Sequence, residues 1–205
     1  MGRSRDVERF DRWAETYDRH WMQRVIFGPV QRTVLDLAEQ ELGRPGAILD
    51  VGCGTGRLLR LAGERFLGAE LTGVDPAPEM VRQAQAAAGP GSRIRFQQAS
   101  AEKLPFSDRR FELVFSTLTF HHWSDQPKAV TEIARVLAPG GRWLLADFIA
   151  TGLMRYFRRL LRMRRFSERE SLGAMLSPAG LRVVTERKVL GLHGQVAVLA
   201  IGARE

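Results

Sequence analysis

The densest run of residues suited to chemistry is Ile48-Leu49-Asp50-Val51-Gly52-Cys53-Gly54-Thr55-Gly56. A short apolar run ends in three alternating glycines, and Leu58, Leu59, Leu61, Ala62 and Phe66 follow at helical spacing. That is a strand, a turn and a helix, with glycines that let the backbone come close to a ligand. The other reading of the loop is a tight turn that binds nothing. A dinucleotide fingerprint, G-x-G-x-x-G, would put its third glycine where this chain has Arg57. The phosphate-binding pattern GxxxxGK(S/T) is absent as well. Asp50 would repel phosphate but could balance a cationic ammonium, directly or through water.

Two further places invite chemistry. Gly73-Val74-Asp75 ends a second apolar run, where a carboxylate could accept from two vicinal hydroxyls, cap the helix over 76–88, or do both. After a later strand comes Ser116-Thr117-Leu118-Thr119-Phe120-His121-His122-Trp123. Histidine titrates near neutrality and suits a general base. Adjacent histidines on regular structure cannot both point the same way. His121 is the preferred base and His122 the second choice, while His20 and His193 read as structural. Cys53 is the single cysteine, so an internal disulfide, a structural zinc site and a CxxC redox pair are excluded. No metal site is expected.

The elements that position these residues alternate in period. Strands are expected over 47–51, 71–74, 94–97, 111–115 and 142–149, with helices following the glycine loop and over 77–88 and 127–138. Pro139-Gly140-Gly141 breaks the last of these helices. Such alternation predicts a parallel sheet covered by helices on both faces. A helix is also expected over 167–175, and two consecutive strands over 181–189 and 195–203 suggest an antiparallel edge. The first 40 residues read as two helices.

In this order the motifs resemble those of the class I S-adenosylmethionine-dependent methyltransferases, in the small-molecule branch that includes the ubiquinone/menaquinone biosynthesis methyltransferases. The resemblance spans about residues 10–203. LDVGCGTG at 49–56 matches the cofactor loop, and GVD at 73–75 the strand end where the family binds ribose. SAEKLPF at 100–106 resembles D-A-E-x-L-P-F, with Ser100 replacing the aspartate that accepts from the adenine amine. A hydroxyl accepts more weakly than a carboxylate, so the Ala101 backbone is expected to contribute. FELVFS at 111–116 and VLAPGG at 136–141 match the fourth strand and the turn into the fifth. FDRWAETYD at 10–18 resembles the segment that folds over the cofactor.

The resemblance implies a doubly wound, Rossmann-like α/β fold with seven strands, six parallel and the last antiparallel, and with helical caps. One methyltransferase domain over 1–205 is expected: an N-terminal cap at 1–40, a cofactor-binding core at 41–150, a basic lid helix and its successor at 151–180, and a terminal strand pair at 181–205. The implied cofactor is S-adenosyl-L-methionine, with S-adenosyl-L-homocysteine as product. Tyr17, Asp50, Gly52, Cys53, Gly54, Gly56, Asp75, Pro76, Met80, Ser100, Ala101, Glu102 and Ser116 are expected to contact it. Trp13, Phe120, Trp123 and Phe157 are expected over the acceptor. In-line methyl transfer needs alignment above all, which can be worth about 7–11 kcal/mol. The aromatic residues favour a small apolar or aromatic acceptor.

The 205-residue chain carries a net charge of +8, yet only three of its 31 basic residues are lysines. Residues 152–169 hold seven arginines and one acid, so +6 of the +8 sits in one amphipathic segment. That segment suits peripheral contact with an anionic membrane or a lipophilic substrate, or a plain solvated face. It gives no strong nucleic-acid signal. RNA methylation through residues 153–166, and a cofactor-binding protein that transfers no methyl group, are the rival readings. A charged start without an apolar signal core points to the cytoplasm. The acceptor and the oligomeric state are left open.

Overall fold

The computed structural model describes residues 27–148, 169–189 and 196–203. The expected N-terminal cap with Trp13 and Tyr17, and the arginine-rich segment with Phe157, therefore lie outside the described residues. Helix α1 (Gly28–Leu42) opens on Pro29, whose fixed φ and missing N–H suit a first turn. It turns Val30, Val34, Leu35, Leu37 and Ala38 inward. There follow β1 (Ala47–Val51), α2 (Arg57–Arg65), β2 (Glu70–Asp75), α3 (Pro78–Ala88), β3 (Ile94–Gln98) and β4 (Phe111–Thr117). A 3-10 turn (Phe120–His122) leads to α4 (Gln126–Val136) and β5 (Leu137–Phe148). The described chain resumes with α5 (Arg169–Leu176), β6 (Leu181–Lys188) and β7 (Val196–Ala203).

The seven strands lie in the order β3-β2-β1-β4-β5-β7-β6. β1, β2, β3, β4 and β5 pair in parallel. β7 runs antiparallel to both of its neighbours, so β6 is parallel to the rest. The reversed strand is therefore not the edge: β7 is an interior strand with every residue but Ala203 buried, and β6 takes the margin. The fifth strand also starts earlier than expected, at Leu137, because the Pro139-Gly140-Gly141 stretch is drawn into the sheet as an irregularity opposite Phe111–Leu113.

Successive strand residues face opposite sides of the sheet, and the core divides accordingly. Ile48, Leu113, Phe115 and Leu144 pack with α1, α2 and α3. Leu49, Val51, Val114, Trp143 and Leu145 pack with α4 and α5. Strand order reverses between β1 and β4, so the crevice where open α/β sheets take ligands lies beyond Val51 and Thr117. Among the described residues, no helix is long and apolar enough to cross a membrane.

Candidate active site

The glycine loop leaves β1 and folds back onto β2. The N–H groups of Gly52 and Cys53 both donate to Val74 O, at 2.8 and 3.0 Å. Gly52 has φ +79°, and a Cβ there would fall within 2.8 Å of Thr119. Gly56 has φ +74°, and its Cβ would meet the Phe96 ring at 2.5 Å. Both glycines are therefore demanded by handedness and by space. Gly54 donates its N–H to Asp75 Oδ2 at 2.9 Å. Asp75 Oδ1 accepts from Ala77 N at 2.9 Å, so this carboxylate shapes the start of α3 and holds the loop at once.

Asp50 is buried, and its Oδ1 has no hydrogen-bond partner; Gln31 Oε1 of α1 is in the same position. Both residues line one pocket with Gly52, Gly54, Thr117 and Phe27. Burial, and the Asp75 carboxylate after it, pushes Asp50 from 3.8 up to about 8. An unpaired buried carboxylate costs free energy until a donor or a cation meets it. Two orphaned acceptors at one pocket fit an ammonium-bearing ligand and not a phosphate. Cys53 sits beside them with its thiol raised well above its usual value by burial, Asp75 and Asp50, which keeps it protonated and inert.

The remaining residues divide. Thr117 lines the pocket. Ser116, expected at the cofactor, points the other way: its Oγ donates to Phe115 O at 2.9 Å and accepts from Trp143 Nε1 at 3.2 Å. Period-two alternation puts Ser116 on the face of Val114 and Trp143. Glu102 Oε1 accepts from Ser124 N and Asp125 N, 2.9 and 3.2 Å away, and so braces the approach to α4. Ser100 is half-buried and bridges to Lys103, while Ala101 and Met80 are buried and Pro76 is half-buried. Phe120, expected over the acceptor, is fully buried, its ring 5.0 Å from Trp123 and 6.2 Å from Trp143. It is a core residue, and Trp123 stacks on Trp143 beside it.

His121 stands at the carboxyl edge of β4 and β5. Its Nδ1 is 2.7 Å from Asp147 Oδ1, and its backbone N–H donates to Asp147 Oδ2 at 3.1 Å. Its ring lies 4.0 Å from that of His122 and 5.8 Å from Phe148. Asp147, Gln31 and Thr117 carry no motif signal. Alternation from Asp50 and Phe115 would have found Thr117, but no spacing links Asp147 to His121. Among the described residues, no group of histidine, cysteine and acidic side chains could hold a metal ion.

This sheet order with its reversed seventh strand, and a glycine loop flanked by acids instead of phosphate donors, define a class I methyltransferase. Residues 49–145 match the family model described as a methyltransferase domain. The chain is 35% identical over 201 residues to the demethylmenaquinone methyltransferase of Thermus thermophilus, covering 85% of this chain and 89% of that one. The crystal structure of the YcgJ protein from Bacillus subtilis superposes with a TM-score of 0.67 at 25% identity, over 85% of this chain and 100% of that one. In fold, the 1,6-didemethyltoxoflavin-N1-methyltransferase of Burkholderia thailandensis, solved with S-adenosylhomocysteine bound, superposes with a TM-score of 0.72 at 22% identity, over 98% of this chain and 88% of that one. The chain belongs to the S-adenosylmethionine-dependent methyltransferases of the small-molecule type, and S-adenosylmethionine is its cofactor.

Proposed function

We propose that this chain methylates a small, apolar or aromatic acceptor by in-line transfer. S-adenosylmethionine, when bound, supplies an electrophilic methyl group whose bond to sulfur breaks with the electron pair staying on sulfur. The chain's own part is to hold and align. Asp50 faces the ammonium, Asp75 takes the ribose hydroxyls, and the backbone at Gly52 and Gly54 closes around the ligand. Burial of these groups keeps water out of the crevice. His121 is the group placed to serve the acceptor.

The observation that supports the acceptor reading is the aromatic cluster at the carboxyl edge of β4 and β5, where the ring of His121 lies against those of His122 and Phe148. Flat rings of this kind suit an aromatic ligand. The similarity to a demethylmenaquinone methyltransferase supports the same class. The basic segment 153–166 would bring a lipophilic acceptor from an anionic surface.

Release of S-adenosylhomocysteine is the test, with 1,4-dihydroxynaphthalene as the acceptor and bulk RNA as the rival. Turnover of the quinol and none of RNA is expected. Methyl transfer to RNA would overturn the reading. No product with any acceptor would favour a chain that binds the cofactor without using it.

A further inference from the structure

We propose that Asp147 is a positioning residue that fixes His121 as its Nδ1–H tautomer, making Nε2 the base that takes the proton of an ionisable hydroxyl on the acceptor. This rests on the reading above, in which His121 serves the acceptor, and it narrows that acceptor to molecules whose nucleophile is freed by losing a proton.

The tautomer follows from what surrounds Asp147. Its side chain is buried, and its two oxygens meet three nitrogens. Oδ1 accepts from Phe148 N at 2.7 Å and lies 2.7 Å from His121 Nδ1, while Oδ2 accepts from His121 N at 3.1 Å. Backbone amides can only donate, so both carboxylate oxygens are acceptors here. A lone pair on Nδ1 facing Oδ1 across 2.7 Å would be repelled. Nδ1 must carry hydrogen, and the lone pair of the neutral ring is then on Nε2. An asparagine could not replace this arrangement, because turning its NH2 toward either oxygen position sets a donor against a donor.

The turn that presents His121 is itself fixed. Leu118 has φ +55°, a left-handed conformation that a branched side chain adopts only when its surroundings impose it. Its N–H donates to Ala146 O at 2.7 Å, one residue before Asp147. Thr119, the next residue, packs against Gly52 of the cofactor loop. The cofactor loop, the histidine turn and the aspartate are thus tied through three adjoining contacts at one end of the sheet. His122 is the other titratable ring beside His121 among the described contacts.

The proton step balances simply. The acceptor O–H bond breaks, its electron pair stays on oxygen, and its proton moves to Nε2. The imidazolium so formed lies against the Asp147 carboxylate and loses its proton to solvent after product leaves. A positioned base of this kind typically contributes about 10²–10⁴-fold.

The experiment has two arms on the full chain. In the first, long-range 15N–1H spectra of the chain with S-adenosylhomocysteine report the His121 tautomer without any acceptor. Nδ1–H is expected in the wild type, with a shift toward Nε2–H in Asp147→Asn. An Nε2–H ring in the wild type, or no change in the variant, overturns the proposal. In the second, turnover of 1,4-dihydroxynaphthalene is expected to lose at least about tenfold in kcat in both Asp147→Asn and His121→Gln, while S-adenosylhomocysteine affinity stays within about twofold. Unchanged kcat overturns the proposal. A wild type that does not turn over the quinol counts against the acceptor reading, and the tautomer then decides the role of Asp147 by itself.

Discussion

Gly54 donates its backbone N–H to Asp75 Oδ2 across 2.9 Å, 21 positions away in the chain. One carboxylate therefore links the tip of the glycine loop to the carboxyl end of β2. The same side chain turns its other oxygen to Ala77 N and so sets the first turn of α3. One group thus shapes both the glycine loop and the helix start beside it, and under the proposed function the same carboxylate would also take the ribose hydroxyls.

Asp75→Asn should therefore weaken cofactor binding through both roles. Hydrogen bonds to a charged group contribute about 1.5–3 kcal/mol, which corresponds to roughly a ten- to hundredfold rise in Kd. Calorimetry with S-adenosylhomocysteine measures it. An affinity within about twofold of wild type would show that Asp75 only shapes the loop.

The placement of the loop residues at one strand end is legible in the sequence, and what is not legible has a physical cause. Asp50, the glycines and Asp75 were visible because the βα turns that build the crevice are local. Ser116 and Thr117 are separated only by alternation along β4: Ser116 lies on the face of Val114 and Thr117 on the face of Phe115. Phe120 reads as a lid in the sequence because aromatic residues beside a site can either cover it or support it. Only the packing of Trp143, brought in by β5, shows that it supports. Asp147 meets His121 across 26 residues, a contact made by strand pairing that no spacing encodes. The sequence suggested a reversed strand, but the insertion of β7 between β5 and β6 is a matter of pairing that composition does not specify.

The raised Asp50 makes stability depend on pH, and if this carboxylate pairs with the ammonium as proposed, binding should depend on pH in the opposite direction. Because the folded chain holds this proton more tightly than the unfolded chain does, stability falls as pH climbs from 3.8 toward about 8. Asp50→Asn removes that slope, so its Tm should exceed that of the wild type at pH 8 and converge with it near pH 4. Pairing with the ammonium requires the ionised form. Affinity for S-adenosylhomocysteine should therefore rise by up to about tenfold per pH unit below 8 and level off above it, with nearly one proton released per binding event at pH 6. Calorimetry in two buffers of different ionisation enthalpy counts that proton. No release at pH 6 would mean that Asp50 stays neutral in the complex.

Gly52→Ala should cost about 1–3 kcal/mol, since the new Cβ would meet Thr119 Cβ and Cγ2 at 2.8 Å in a backbone of positive φ. Adding Thr119→Gly opens the space without relieving φ. The double variant should recover part of the loss and not all of it. Denaturant unfolding of the two single variants and the double variant measures the coupling. Full recovery would place the whole cost in the collision, and none would place it in the backbone.

Arg135 holds the segment between β3 and β4 onto α4, and its loss should be felt at the site without touching it. Its guanidinium donates to Leu104 O at 3.0 Å and to Phe106 O and Asp108 Oδ1 at 2.8 Å, while Glu132 takes a two-pronged contact from it. Glu132 also accepts from Leu104 N at 2.9 Å. Its carboxyl is lowered chiefly by the Arg135 hydrogen bond, so this contribution to stability fades as pH falls through the acid range. The Arg135 side chain keeps 28% of its surface exposed, so solvent screening limits its worth to about 2 kcal/mol, or roughly 4–8 °C in Tm for a chain of this size. A lysine cannot reproduce the planar fork that meets two carbonyls and two carboxylates together. Arg135→Lys should therefore recover less than half of what Arg135→Ala loses. Ser100 and Ala101 lie just before the anchored segment, so cofactor affinity should fall as well, but by less than in Asp75→Asn. A thermal scan with and without S-adenosylhomocysteine separates the two effects. Equal ligand-induced shifts in wild type and Arg135→Ala would show that the segment keeps its place without the arginine.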